Sequence, residues 1–304
     1  MGTRITESMA QRSILRDLVA ADRNLALTQR RLSSGKQLTR PSDDPFGVNR
    51  AIALRGELEG TRQFRANVNE ATGWTNATEA ALTRITDVIQ RARELLVSGG
   101  NDSNGQVARE AIATEIDALA ESLKQEANAT YEGRYVFAGT ATETPPYALG
   151  ASDAYAGDAG TVARTIGVGV SLTVNVSAAG LLGEGQAAAD DRLLDTMRDI
   201  AEHLRGGTAA DAEALRGTDL ERLDANLDEL TRVRAIVGAT ANRLQAAGAR
   251  LDELEESGLD LLSKTEDADM AETLVNYSTQ RAAYEAALKA GANIVQVSLL
   301  DFLR

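Results

Sequence analysis

The sequence of 304 residues contains no cysteine and a single histidine, His203. Without cysteine the chain forms no disulfide, no thiolate metal site and no cysteine nucleophile. A zinc site of the usual kind needs several histidine or cysteine ligands, which one histidine cannot supply. We therefore expect neither a metal nor a cofactor.

Aromatic residues and long apolar runs are also scarce. Phe, Trp and Tyr make up 4% of the chain, although apolar residues reach 43%, mainly as alanine and leucine. Small aliphatic side chains suit close packing of helix against helix. Residues 1–24 have no continuous apolar stretch of the kind found in a cleaved signal peptide. No window approaches the roughly 18 apolar residues of a membrane span, so we expect no membrane association.

The chain is acidic, with a net charge of −13. Nucleic-acid binding is not expected, because phosphates require a basic surface. Residues 1–50 carry nine Lys/Arg and five Asp/Glu, whereas residues 265–304 carry three basic and six acidic residues. These opposite net charges could draw the two ends together, with chance as the alternative explanation.

Residues 31–47, RLSSGKQLTRPSDDPFG, interrupt a helical pattern. The helix before them has leucines at three- and four-residue spacing: Leu15, Leu18, Leu25 and Leu32. Gly35 can end this helix in the left-handed conformation. Ser42 is a candidate N-cap, Asp43 and Asp44 suit the positive end of a helix, and Pro45 is tolerated in a first turn. We predict a helix end, a linker over Gly35–Pro45 that includes Pro41, and a new helix from about residue 43.

Helical periodicity dominates the rest of the chain. One seam over residues 43–98 consists of Trp74, Thr78, Ala81, Ile85, Val88, Ala92 and Leu95. A longer seam over residues 217–262 consists of Leu220, Leu223, Leu227, Leu230, Val237, Leu244, Leu251, Leu254 and Leu261. Residues 264–269, KTEDAD, are predicted to break or bend that helix before a last one.

The pattern changes to period two in the middle of the chain. Residues 134–140, RYVFAGT, are a short strand candidate, and Ile166 to Val176 alternate apolar residues with Gly, Ser, Thr and Asn. This alternation predicts a half-buried strand that bends or forms a hairpin at Gly167–Gly169. The fold class is therefore mainly α: an elongated antiparallel helical bundle or coiled coil from both chain ends, with a small β-rich insert. We predict three parts: 1–40 with 265–304, 41–134 with 186–264, and the insert at 135–185.

Catalytic patterns are weak. Gly167 and Gly169 resemble part of a phosphate loop, but the strand alternation continues through them and no helix follows. His203 lacks the HExxH context of a metalloprotease, which favours a satisfied or solvent-facing helical histidine. No nucleophile and base pair is visible, so we do not expect an enzyme. Single helices beyond a linker cannot bury their seams alone, which leaves an intramolecular coiled coil of the two ends or an assembly domain.

Several motifs resemble those of the bacterial flagellin superfamily, in particular its hook–filament junction members. They are RLSSGKQLTRPSDDPFGVNRA (31–51), YEGRYVFAGT (131–140), YAGDAG (155–160), TEDADMAE (265–272) and QRAAYEAALKAGANIVQVSLLDFL (280–303). The resemblance covers both ends and the helical arms. Filament-forming flagellins resemble the chain in the same places, so a filament subunit is the alternative. A secreted binding module or enzyme carried on the β-insert is an alternative of another class.

The resemblance implies a structural adaptor in the junction layer between the first hook-associated protein and the flagellin filament. It implies self-association in a ring, export to the flagellum without a cleaved signal, and a cytoplasmic chaperone on the C-terminal helix. It places the assembly contacts on Leu15, Leu18, Leu25, Leu32, Tyr284, Leu288, Val295, Leu299, Leu300, Phe302 and Leu303. It places a conformational joint at Gly35–Pro45 and at Lys264–Asp269.

Overall fold

The computed structural model describes residues 7–42, 44–101, 105–150, 152–185 and 188–302. The helices are α1 (Glu7–Ser34), α2 (Pro45–Gly99), α3 (Gln106–Ala127), α4 (Ala179–Leu182), α5 (Leu193–Gly206), α6 (Ala209–Arg216), α7 (Thr218–Glu266) and α8 (Met270–Phe302). The strands are β1 (Thr130–Tyr131), β2 (Arg134–Tyr135), β3 (Ala163–Gly167) and β4 (Val170–Thr173). Long helices with two small antiparallel sheets between them confirm the mainly α fold class.

The chain divides into two compact units. The terminal unit comprises Met1–Gly60 and Leu254–Arg304, and the central unit comprises Thr61–Glu253. The boundaries between the units fall within α2 and α7, so each of these helices has one part in each unit. The three-part division made from the sequence stays a prediction.

The central unit holds the hydrophobic core. Six members of the predicted α2 seam are buried, namely Trp74, Thr78, Ala81, Ile85, Ala92 and Leu95. On α7, five residues at intervals of seven are buried: Leu223, Leu230, Val237, Leu244 and Leu251. Apolar side chains of α3 and α5 complete the core, including Ile116, Leu123, Met197, Ile200 and Leu204. The seams thus form because residues one heptad apart lie on nearly the same side of a helix.

Two leucines assigned to the α7 seam lie outside it. Leu254 and Leu261 are 49% and 40% exposed. The interval of seven after Leu251 leads to Gly258 instead, where an added Cβ would lie 2.8 Å from Cδ2 of Leu58. The contact between α7 and α2 therefore lies at Gly258, and not at the two leucines that the sequence pattern predicted.

Two hairpins lie between α3 and α4, the first at the start of the predicted insert and the second within it. Thr130 pairs with Tyr135 in the first, across a turn in which Glu132 and Gly133 have positive φ. The second pairs β3 with β4 around Val168 and Gly169, which confirms the predicted hairpin. The RYVFAGT prediction was largely wrong, because only Arg134 and Tyr135 are strand residues and the segment then turns at Gly139, whose φ is +68°.

Candidate functional site

Helices α1 and α8 pack against each other in the terminal unit. Their contact includes a hydrogen bond between the side chains of Thr28 and Gln280, with Oγ1 and Oε1 2.7 Å apart. Thr28 and Thr273 are buried, but no apolar side chain of the two helices is buried among those that the structure describes. The described apolar side chains of this pair are therefore half-buried or exposed.

The residues predicted for assembly lie along this pair. Leu15 and Leu288 are 60% and 44% exposed. The half-buried positions are Leu18, Leu25, Leu32 and Tyr284. Four more of the predicted residues belong to α8, but the structure does not describe their side chains: Val295, Leu299, Leu300 and Phe302. Leu303 lies outside the described residues. Their assignment to an assembly contact stays a prediction.

The four leucines do not lie on one line along α1. Leu15 stands 17 residues before Leu32, which at 3.6 residues per turn places the two side chains about 100° apart around the helix. The seam is therefore half-buried at Leu32 and exposed at Leu15.

The linker between α1 and α2 follows the predicted stop and restart. Gly35 has a φ of +69°, and its N–H donates to the carbonyl of Arg31 at 2.9 Å, so it ends α1 as expected. The prediction of Ser42 as N-cap was wrong. Helix α2 begins at Pro45, and Asp44 Oδ1 accepts from the N–H of Phe46 at 3.0 Å. Proline fits the first helical position because its missing N–H would have no partner there.

Pro41 and Ser42 are exposed residues of the same linker. Asp43, the other predicted linker residue, lies outside the described residues.

The two predicted linkers are hydrogen-bonded to each other. Lys36 and Asp267 form an antiparallel bridge. The N–H of Gln37 donates to the carbonyl of Glu266 at 2.7 Å, and the N–H of Ala268 donates to the carbonyl of Gly35 at 2.9 Å. We call this pair of segments, Gly35–Leu38 and Glu266–Ala268, the joint. It ties the end of α1 to the end of α7 through backbone groups.

Charged side chains reinforce the joint. Glu266 is nearly buried, with 7% of its side chain exposed, and it pairs with Lys36 at 2.5 Å and with Arg55. Lys36 also lies 2.7 Å from Asp267. Hydrogen bonds to Asp267 and Glu266 raise the pKa of Lys36, and the bond from Lys36, with a second from Ser263, lowers the pKa of Asp267. Lys36 and Glu266 lie within the two predicted linkers, but their ion pair and the part played by Arg55 were not predicted, although the opposite charges of the chain ends were a signal.

A second charged cluster fastens the β-insert to helices of the central unit. The ammonium group of Lys124 is fully buried, 3.0 Å from Asp153 and 2.9 Å from Glu121. Arg198 contacts both carboxylates and Asp117, each at 2.8 Å. Burial works to raise the pKa of Asp153, but hydrogen bonds from Arg198 and Lys124 outweigh it and lower that pKa. Because each charge is paired, the cluster acts as a structural clamp rather than as an acid or base.

The other features considered for chemistry are His203, the surface cavities and the acidic side chains. The imidazole Nδ1 of His203 lies 2.7 Å from Asp219, as expected for a satisfied helical histidine. A surface cavity of about 280 Å³ is lined by residues of α2, the turn after it, α6 and α7. Another, of about 450 Å³, is lined by residues of α1. Neither of these two cavities is lined by the insert. In the described ranges no group of acidic or histidine side chains could hold a metal. No described helix is long and apolar enough to cross a membrane.

Comparison with known families matches both ends of the chain. The model of the bacterial flagellin N-terminal helical region matches residues 5–142, and that of the C-terminal helical region matches residues 220–303. These ranges contain α1, α2, α3, α8 and all of α7 except its first two residues, together with both sides of the joint. The chain belongs to the bacterial flagellin superfamily.

Individual relatives include proteins of two kinds. Flagellar hook-associated protein 3 of Escherichia coli K12 is 27% identical over 286 residues, covering 89% of this chain and 90% of the relative. A flagellin of Bacillus subtilis 168 is 26% identical over 319 residues, covering 99% of this chain and all of the relative.

Solved structures share the fold. A flagellar hook-associated protein from Vibrio parahaemolyticus has a TM-score of 0.67 at 19% identity, covering 74% of this chain and 100% of that one. Hook-associated protein 3 from Legionella pneumophila has a TM-score of 0.61 at 15% identity, covering 70% and 98%.

Proposed function

We propose that this chain is a structural adaptor of the bacterial flagellum, forming the junction layer between the first hook-associated protein and the flagellin filament. The observation that carries the proposal is the match to flagellar hook-associated protein 3 over about nine tenths of both chains. Its superfamily consists of structural flagellar proteins, which supports a mechanical rather than a catalytic role.

The finer features of the proposal concern assembly. Copies of the chain self-associate in a ring, with the α1–α8 pair in an inner tube and the joint absorbing differences between the two neighbouring layers. The chain reaches the flagellum by export without a cleaved signal, after a cytoplasmic chaperone has covered the C-terminal helix. The exposed leucines of α1 and α8 support an assembly role, because exposed apolar side chains are stabilised when a partner covers them.

A flagellin is the second candidate. The match to the Bacillus subtilis flagellin over 99% of this chain and the whole of that protein favours it. Purified chain added to filament seeds separates the two, because a flagellin extends the seeds by itself and a junction adaptor does not.

The decisive experiment is electron microscopy of cells that lack this gene, combined with an assay of flagellin in the medium. We expect bare hooks and soluble flagellin outside the cell, because export continues but the filament has no base. Normal or altered filaments on the hooks would contradict the adaptor function and favour the flagellin.

The assembly residues are tested by Leu300→Asp. We expect this variant to keep its central unit folded and to lose motility, because a charge enters the proposed apolar contact. Leu149→Asp is the matched control, since Leu149 is an exposed leucine of the central unit. Normal motility of the Leu300 variant would exclude Leu300 from the contact.

A further inference from the structure

The outer face of α1 combines arginines with exposed apolar side chains. Arg12, Arg16, Val19 and Arg23 follow each other at intervals of four, three and four residues, which places them on one side of the helix. The arginines are exposed, as are Leu15 at 60% and Val19 at 47%. A shallow cavity of about 450 Å³ runs along this side. We call these five residues the arginine face.

The arginines of this face have no acidic partner among the side chains that the structure describes. Arg16 Nε donates to the carbonyl of Arg12 at 3.3 Å, a contact within the same helix. A guanidinium is charged at all ordinary pH values, and its donors match a carboxylate in geometry. The face is therefore suited to a partner surface that offers carboxylates beside apolar groups.

Such a surface exists on the part of α7 that belongs to the terminal unit. Residues 254–261, LEESGLDL, contain three acidic residues and no basic one. Glu256, Leu259 and Asp260 are exposed at spacings of three and four residues, with Leu259 44% exposed. Asp260 also pairs with Lys264 at 2.7 Å. We call these three residues the acidic face.

We propose that the arginine face of one copy docks on the acidic face of a second copy of this chain. Both faces are exposed in the single chain and their charges are opposite. The arginine face presents two exposed apolar residues, Leu15 and Val19, and the acidic face presents one, Leu259. The interface joins two different surfaces, so it is heterologous and continues from copy to copy into a ring or a helical array. The setting rests on the proposed junction function, of which this contact would be one subunit interface.

The test uses the purified full chain in sedimentation velocity, at low salt and at about 0.5 M salt. We expect self-association at low salt and its loss at high salt, because exposed charges are screened. The double variant Arg16→Glu with Arg23→Glu should lose association, as should Glu256→Lys with Asp260→Lys. A mixture of these two variants should associate again, since each reversed face then meets a reversed partner.

The control is Glu272→Lys with Glu285→Lys on α8, which changes the net charge as much as the acidic-face variant does but outside both faces. It should associate like the unaltered chain, and far-UV circular dichroism should show every variant helical. A chain that stays monomeric at low salt, a folded variant that still associates, or a mixture that does not recover would each overturn the proposal. The phenotype of the deletion strain does not depend on these results, so the two proposals can fail separately.

Discussion

The central and terminal units use similar helices but bury very different amounts of apolar surface. Every member of the main buried cluster lies between Val68 and Leu251, within the central unit. In the terminal unit the buried apolar residues among the described side chains are Ala51 and Leu58. Burial contributes roughly 25 cal/mol per Å² of apolar surface, so the two units gain unequal stability from their leucines. The central unit is stabilised by burial within one chain, whereas the described apolar side chains of the terminal unit gain less from such burial.

The units also differ in how they treat charge. Lys124 of the central unit is fully buried among carboxylates, while Lys36 of the joint is 40% exposed beside Glu266 and Asp267. A buried charge that loses its partner is costly, but an exposed one is solvated again by water. The clamp at Lys124 therefore fixes the insert firmly, whereas in the joint the exposed Lys36–Asp267 pair can separate at lower cost than the pairs of the nearly buried Glu266.

The largest effect that tests this contrast is expected for Asp153→Ala. The change removes the carboxylate shared by Lys124 and Arg198, and leaves a buried ammonium with less compensation. We expect a loss of about 3 kcal/mol or more in the free energy of unfolding. Urea unfolding followed by the fluorescence of Trp74, the single tryptophan, reports this unit directly. The control Asp267→Ala should change the same transition by less than about 1 kcal/mol.

A smaller difference is expected between two leucines. Leu82 is fully buried in the central unit, so Leu82→Ala should cost about 2–5 kcal/mol. Leu288 is 44% exposed on α8, and Leu288→Ala should cost less than about 1 kcal/mol in the monomer. Urea unfolding monitored by far-UV circular dichroism measures both. Equal losses would show that Leu288 is packed in a hydrophobic core within the monomer, contrary to the difference in burial between the two units.

The smallest effect concerns the pH dependence of the joint. The folded-state pKa of Asp267 is lowered, chiefly by its hydrogen bond from Lys36. Its stabilisation is therefore complete above the unfolded pKa of about 3.9 and is lost as the pH falls through the folded value. The pKa of Lys36 is raised, chiefly by its hydrogen bonds to Asp267 and Glu266. The stability that Lys36 contributes is therefore present below its unfolded pKa of about 10.4 and is lost at higher pH.

The amides of Gln37 and Ala268 donate hydrogen bonds across the joint, so their hydrogen exchange measures how often the joint opens. Their protection should decrease between neutral pH and about pH 3, after correction for the intrinsic exchange rate. Asp267→Asn should have reduced protection already at neutral pH, and Asp228→Asn, an exposed site on α7, should behave like the unaltered chain. Protection that is independent of pH would contradict a role for the ion pairs.

Single residues account for the positions at which the structure differs from the sequence prediction. The buried heptad positions of α7 and the hairpin at Gly167–Gly169 were predicted, because periodicity directly reports which side of an element is apolar. Leu254 was misplaced because the contact passes to Gly258, and a pattern of apolar residues does not reveal a close approach at glycine. Ser42 was predicted as the N-cap with Asp44 in the first turn, but α2 begins at Pro45, so that Asp44 takes the capping position.

The sequence by itself determined the helical seams, the two linkers, the β-insert and the superfamily, because these depend on local periodicity, turn residues and short motifs. Only the tertiary structure decided that the linkers pair at the joint, that Glu266 is buried between two cations, and that Lys124 lies inside a clamp. Those contacts join residues separated by tens to hundreds of positions. Their formation depends on how the chain returns upon itself, which no local pattern encodes.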